Sequence, residues 1–343
     1  MPVTRAELRR LIHAIGVARH PCARDLDPDA RALRDLKRRT APWWDPKNVV
    51  GLCVARKMQG GKPGKIGLQV LVKSKRSRRA LARRERIPEE LRAHELGIRD
   101  PVITDVREVG EGRLESLVST SRPEALGFNV GGESTGSGTL GCTVRARSTG
   151  TRLGLSCGHV IAGFGQASPG DAVLMPSFDM STENDLPVSP IGKLVTVLPI
   201  GFADGDGARN IDAATFEPDS ETDLDDRVAI LNRRPTGIRA SPPLDLHVHK
   251  VGSTTEHTTG VVQALHLLVA LPYPKPGGAR GEALFDDLIG VSRFTEAGDS
   301  GALVFDDDGK AIGLHLGGFK AMSVCIPMRR VLDAVDCDLV TGS

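Results

Sequence analysis

A chain of 343 residues, 40% hydrophobic and 26% charged, has room for two or three folding units and the composition of an ordinary globular protein, not a disordered or fibrous one. A net charge of +2 is too small to imply a nucleic-acid partner. The 39 glycines and 22 prolines, with 3% aromatics, predict many turns around an aliphatic core and favour β structure. No apolar run is long enough to cross a bilayer, and Met1–Arg5 do not open into the apolar stretch of a secretory leader, so a cytoplasmic location without a membrane partner is expected. The six cysteines, Cys22, Cys53, Cys142, Cys157, Cys325 and Cys337, lack metal-ligand spacing and read as free buried thiols. Cys142 and Cys157 could in principle meet across a hairpin.

In chain order, Leu8, Leu11, Ile12 and Ile15 share one face of a helix over residues 4–19. Asp27-Pro28 has the form of an N-cap followed by a first-turn proline, and predicts a second helix that Thr40-Ala41-Pro42 stops. Residues 1–47 are thus expected to be a helical segment. The β-rich runs 48–54 and 67–73 flank the loop Gly60–Gly64, and Val102–Val106 is strand-like. These predict a small α/β accessory module and linker over 48–125, and a protein partner could bind through residues 1–125. The basic stretch Lys73–Arg86 is closely followed by Glu89, Glu90 and Glu95, so it reads as a solvated helix face.

Residues 107–138 are polar and end in a run of Gly, Ser and Thr, as a linker would. From Thr139 onward the texture changes. Short apolar or alternating runs recur at 140–146, 153–156, 172–175, 191–197 and 211–216, then at 248–251, 260–268, 302–305, 311–316 and 322–326. Such spacing predicts an all-β sandwich or barrel over 126–343, closed by a helix over 329–335. His247 and His249 with His257 read as strand-surface histidines, and Asp306–Gly309 as a hairpin turn, not a cation loop.

Within this region Gly298-Asp299-Ser300-Gly301 presents a serine in a tight, glycine-flanked loop, whose backbone N–H groups could converge on a developing oxyanion. A serine hydroxyl needs a base, and the base a carboxylate to hold its tautomer. Candidates stand upstream: His159 ends the apolar run Leu153–Ser156, and Asp212 opens the run Ala213–Phe216. The order His, Asp, Ser is that of one peptidase class and places base and nucleophile in different halves of the unit.

These blocks resemble those of trypsin/chymotrypsin-like serine peptidases of the bacterial, streptogrisin-like kind. Leu155–Val160 is similar to the base block, Asp212-Ala213-Ala214 to the orienting acid, and Thr295–Gly301 to the nucleophile loop. Lys250–Thr255 resembles a second-barrel hairpin whose first position is usually Arg. The resemblance covers residues 126–337 and implies two antiparallel β-barrels with a C-terminal helix, split near 220–240. It also implies hydrolysis of protein or peptide substrates, with no cofactor and no metal. The implied roles are nucleophile for Ser300, base for His159 and orienting acid for Asp212. Gly298 and Ser300 would form the oxyanion hole, and Lys250 would pair with Asp299. Phe294, His315 and Gly317 would line the substrate pocket, with His315 favouring acidic side chains or Phe294 apolar ones. Phe294 replaces the Asp that would select basic side chains, and no cysteine follows His159. The alternative is a catalytically silent peptidase fold that binds a partner through its N-terminal module.

Overall fold

The computed structural model describes residues 3–19, 30–59, 62–77, 79–110, 113–114, 125–133, 136–184, 189–202, 209–219, 224–275 and 278–342. The Asp27-Pro28 cap, Cys22 and the loop tips at 60–61, 134–135 and 204–207 lie outside these residues. The chain is mainly β.

Helix α1 (Arg5–Arg19) begins with a capping box: the Glu7 N–H donates to the Thr4 hydroxyl (3.2 Å), and the Thr4 N–H donates to the Glu7 carboxylate (2.8 Å). Its Leu8, Leu11, Ile12 and Ile15 are buried and share a core with Leu36 of α2 (Ala30–Thr40). Strands β1 (Val49–Gln59) and β2 (Lys62–Val72) form an antiparallel hairpin. β3 (Glu90–Ala93) and β4 (Ile98–Glu108) form another, whose β4 runs parallel to β2. Between the hairpins, the described part of 73–86 is not a helix but bends and one 3-10 turn at Arg83–Glu85. It has no apolar face to bury. It is tied down instead by polar contacts, from the Lys75 N–H to Glu108 (2.7 Å) and from Arg76 to Asp45 (3.1 Å).

After the two-residue strands β5 (Arg113–Leu114) and β6 (Ala125–Leu126) come β7 (Asn129–Gly132), β8 (Gly138–Thr139), β9 (Cys142–Ala146) and β10 (Arg152–Ser156). Then follow α3 (Gly158–Ile161), β11 (Ala172–Leu174), α4 (Phe178–Asn184), β12 (Pro190–Val197) and β13 (Ala214–Pro218). β8 and β9 are two halves of one bent strand. The first half pairs with β7 and the second with β10, while β10, β13, β12, β11 and β7 are successive neighbours. The ring therefore closes into a barrel, which removes the free strand edges of an open sheet.

A second ring follows β14 (Asp225–Val228) and β15 (Gly237–Ile238). It contains β16 (His247–Gly252), β17 (Glu256–Pro272), β18 (Glu282–Ser292), β19 (Leu303–Asp306), β20 (Lys310–Phe319) and β21 (Met322–Pro327). The pairing order β16, β19, β20, β21, β18, β17 returns from β17 to β16. This second barrel ends in α5 (Met328–Ala334), after which β22 (Cys337–Leu339) returns to pair with β9 of the first. β17 is long enough to leave its barrel. Gly51 of β1 stands opposite Val269 and Leu52 opposite Leu268, so one sheet runs from the second barrel into the N-terminal strands.

β18 was not anticipated because Asp286-Asp287 interrupts its apolar pattern. Both acids have partners distant in sequence: Asp286 pairs with Arg330 (2.8 Å), and Asp287 with Arg9 (2.8 Å) and His266. Asp306–Gly309 is the turn from β19 to β20, with Gly309 at φ 78°. Cys53, Cys142, Cys157, Cys325 and Cys337 are free and buried. Among the described residues no helix is long and apolar enough to cross a membrane.

Candidate active site

β10 and β13 are antiparallel neighbours with Ser156 opposite Ala214, so the residues just past the end of one strand meet those just before the other. His159 sits on the single turn α3 that follows β10, and Asp212 immediately precedes β13. The Asp212 carboxylate grips the histidine twice: Oδ1 accepts the His159 backbone N–H (2.9 Å), and Oδ2 is hydrogen-bonded to the ring Nδ1. The Tyr273 hydroxyl donates to Oδ1 at 3.3 Å. A carboxylate at Nδ1 fixes the proton there and leaves Nε2 as the basic nitrogen. His159 Nε2 has no hydrogen-bond partner among the described residues. Phe164, at φ 59°, stacks on the imidazole (centroids 5.5 Å apart), and Tyr273 meets Phe164 edge-on at 5.1 Å.

Cys157, His159 and Asp212 bring potential metal-ligand atoms within 4.8 Å of one another. Each of these side chains already has a protein partner. The Cys157 thiol donates to the His315 carbonyl (3.2 Å), and burial, then the neighbouring Asp212 charge, push its pKa well above the usual thiol value.

The serine loop is built by its glycines. Gly298 and Gly301 have φ of 99° and 89°, where side chains are strained, and a Cβ on Gly301 would lie 2.3 Å from the Ser156 hydroxyl. The loop thereby docks on the first barrel at Ser156, three residues before His159. The Thr139 N–H donates to the Ser300 carbonyl (2.8 Å), the Thr139 hydroxyl to the Gly298 carbonyl (2.7 Å), and the Gly301 N–H to the His315 carbonyl (2.8 Å). The Ser300 hydroxyl donates to the Leu316 carbonyl at 3.1 Å and not to His159.

Asp299 points the other way, into the second barrel. Lys250 Nζ lies 3.1 Å from its Oδ2, and both side chains are fully buried. The carboxylate also accepts the Thr255 hydroxyl (2.6 Å) and the N–H groups of Thr254, Thr255 and Glu296 (3.1, 3.1 and 2.9 Å). Burial pushes the Asp299 pKa up, but Lys250 and these donors outweigh it and hold it below the ordinary carboxylate value.

Sequence-predicted positions thus fall into groups. His159 and Asp212 are bonded, as are Lys250 and Asp299. Phe294 and His315 are buried with ring centroids 6.5 Å apart, and Gly317 lies on β20 opposite Leu114. His249 and His257 stack 5.4 Å apart on the second barrel. Sequence reasoning missed Tyr273, Phe164, Thr139 and Thr255. Tyr273 carried one signal, as the only tyrosine in the chain.

No protein-family model and no curated protein matches the sequence. Solved structures do resemble the fold. Nocardiopsis protease aligns at 20% identity and TM-score 0.44 over 63% of this chain and 98% of its own. Thermobifida fusca protease A (18%, TM-score 0.43, 64% and 100%) and Cellulomonas bogoriensis chymotrypsin (18%, TM-score 0.43, 64% and 98%) are comparable. The structural neighbours are bacterial serine proteases of the trypsin/chymotrypsin kind. The two closed rings themselves, with His159 and Asp212 on one and Ser300 on the other, define the arrangement here.

Proposed function

We propose that the protein is a serine endopeptidase with Ser300 as nucleophile, His159 as base and Asp212 as the group that orients the base. The observation that carries this reading is the buried Asp212–His159 clasp, which commits Nδ1 and leaves Nε2 basic, beside a glycine-shaped serine loop. In the reaction, Ser300 Oγ attacks the substrate carbonyl while its proton passes to His159 Nε2, which then protonates the leaving amine. Asp212 stabilises the imidazolium. The N–H groups of Gly298 and Ser300 receive the oxyanion, and water hydrolyses the acyl-enzyme by the reverse proton path. Phe294, His315 and Gly317 are the proposed substrate contacts. The Ser300 hydroxyl rests on the Leu316 carbonyl, and the catalytic hydrogen bonds of such sites often form only when substrate is bound.

The rival reading, a silent fold that binds a partner, is favoured by the complete burial of Ser300. Hydrolysis of an unstructured protein substrate separates the two. Ser300→Ala is expected to lower kcat at least about a thousandfold without changing the circular dichroism spectrum. Equal hydrolysis by the variant would refute the assignment.

A further inference from the structure

The second barrel carries two imidazoles whose ring nitrogens face each other. In the antiparallel pair β16 and β17, His249 stands opposite Thr259 and Val251 opposite His257, so His249 and His257 are diagonal neighbours on one face. His249 Nδ1 lies 3.1 Å from His257 Nε2, and the two ring planes are inclined by 10°. The other nitrogen of His249, Nε2, is 2.6 Å from the Asp307 carboxylate. The hydrogen bond to His249 holds Asp307 below the ordinary carboxylate value, and an ionised carboxylate only accepts. Nε2 therefore carries the His249 proton, and Nδ1 keeps its lone pair. Phe305 stacks on the His249 ring at 16°, and Arg233 donates to the Asp307 carbonyl at 3.0 Å, so ring and carboxylate are both anchored. In the pair as it stands, His257 Nε2–H donates to His249 Nδ1. Moving that proton to His257 Nδ1 leaves two lone pairs directed into one space. Both rings are half-buried, so water reaches the pair.

We propose that His249 Nδ1 and His257 Nε2 chelate one divalent transition-metal ion of the zinc kind, with Asp307 orienting His249 and water filling the remaining positions. Tetrahedral zinc, with bonds of about 2.0–2.1 Å to imidazole, needs its nitrogens about 3.3 Å apart. The separation of 3.1 Å is already close to that. A metal-bound histidine characteristically donates its second N–H to a carboxylate, which is the place Asp307 holds. Burial, and then the neighbouring His249 and Lys250, lower the His257 pKa, so its ring is neutral at neutral pH, as a ligand must be. Two neutral imidazoles suit zinc, copper or nickel, and not magnesium or calcium, which take oxygen. The ion joins β16 to β17 across the hairpin whose Lys250 and Thr255 side chains hold Asp299. Bound metal thus braces the support of the serine loop from behind, and the site stands whether or not Ser300 is a nucleophile.

The full-length protein, stripped of metal with a chelator and dialysed, is titrated calorimetrically with zinc chloride and, separately, with magnesium chloride at neutral pH. The wild type is expected to take one zinc ion at this site and to give no response to magnesium. His249→Ala and His257→Ala are each expected to weaken zinc binding at least about a hundredfold, and Asp307→Asn about tenfold. Zinc is expected to raise the Tm of the wild type and to leave that of His257→Ala unchanged. Should His257→Ala lose the wild-type circular dichroism spectrum, His257→Gln takes its place. A wild type that binds no zinc overturns the proposal. So do histidine variants that bind zinc as tightly as the wild type, since the ion is then held elsewhere. Undiminished binding by Asp307→Asn overturns the part given to Asp307.

Discussion

Asp299 faces away from the His159–Asp212 pair, yet the shape of the serine loop depends on it. A fully buried carboxylate is tolerable only with a cation and donors around it, and removing one partner of such a pair typically costs about 3–5 kcal/mol. Gly252 leaves the space it needs, since a Cβ there would lie 2.5 Å from Asp299 Oδ1. Lys250→Ala is therefore expected to cut kcat at least tenfold through a distorted oxyanion loop, measured with a peptide substrate alongside circular dichroism. Normal kcat in a folded Lys250→Ala protein would contradict this. The pH dependence has a definite sign. The folded Asp299 pKa is depressed, so its stabilising contribution is complete above the ordinary carboxylate value and is lost as pH falls through the lower folded one. In urea unfolding, the stability gap between wild type and Asp299→Asn should shrink as pH drops from about 4 towards 2. A gap that stays constant or widens would argue against the ion pair. The pairing of Lys250 with Asp299 was legible only through the resemblance of the Lys250–Thr255 block to a streptogrisin-like hairpin. Tyr273 and Phe164 were not, because nothing local marks an aromatic ring that meets the site through tertiary packing.

β17 is the element on which the two parts of the molecule converge. Its first part pairs with β16 and its later part with β1, so Leu268 belongs to the same apolar cluster as Leu8, Ile12 and Leu52. Leu52→Ala, in the N-terminal strands, should cost about 2–5 kcal/mol and lower the Tm of a single calorimetric transition. Two transitions, with only one of them shifted, would contradict the shared sheet. The short strands of both barrels were readable from their apolar runs and turns. The reach of β17 was not, since its second half reads as one more apolar run, and pairing between distant strands leaves no mark at either. β18 was hidden for a related reason: the acids that break its pattern are compensated by Arg9, His266 and Arg330, from other parts of the chain.

Across the whole molecule, the first barrel carries His159 and Asp212, and the second carries Ser300. Thr139 of the first barrel ties the two together, its N–H donating to the Ser300 carbonyl and its hydroxyl to the Gly298 carbonyl. The reactive groups are covered, and β5 lies along the strand beside them. On the proposed function, the site is assembled but closed. The central claim of that proposal is that Ser300 is an activated nucleophile. The most direct test is fluorophosphonate labelling of the full-length protein at neutral pH, with the modified residue mapped by peptide mass spectrometry, beside His159→Ala and Asp212→Asn variants. The account predicts a single adduct on Ser300, at least about a hundredfold slower in either variant. An adduct on another serine, or labelling of Ser300 at the same rate without His159, would contradict it.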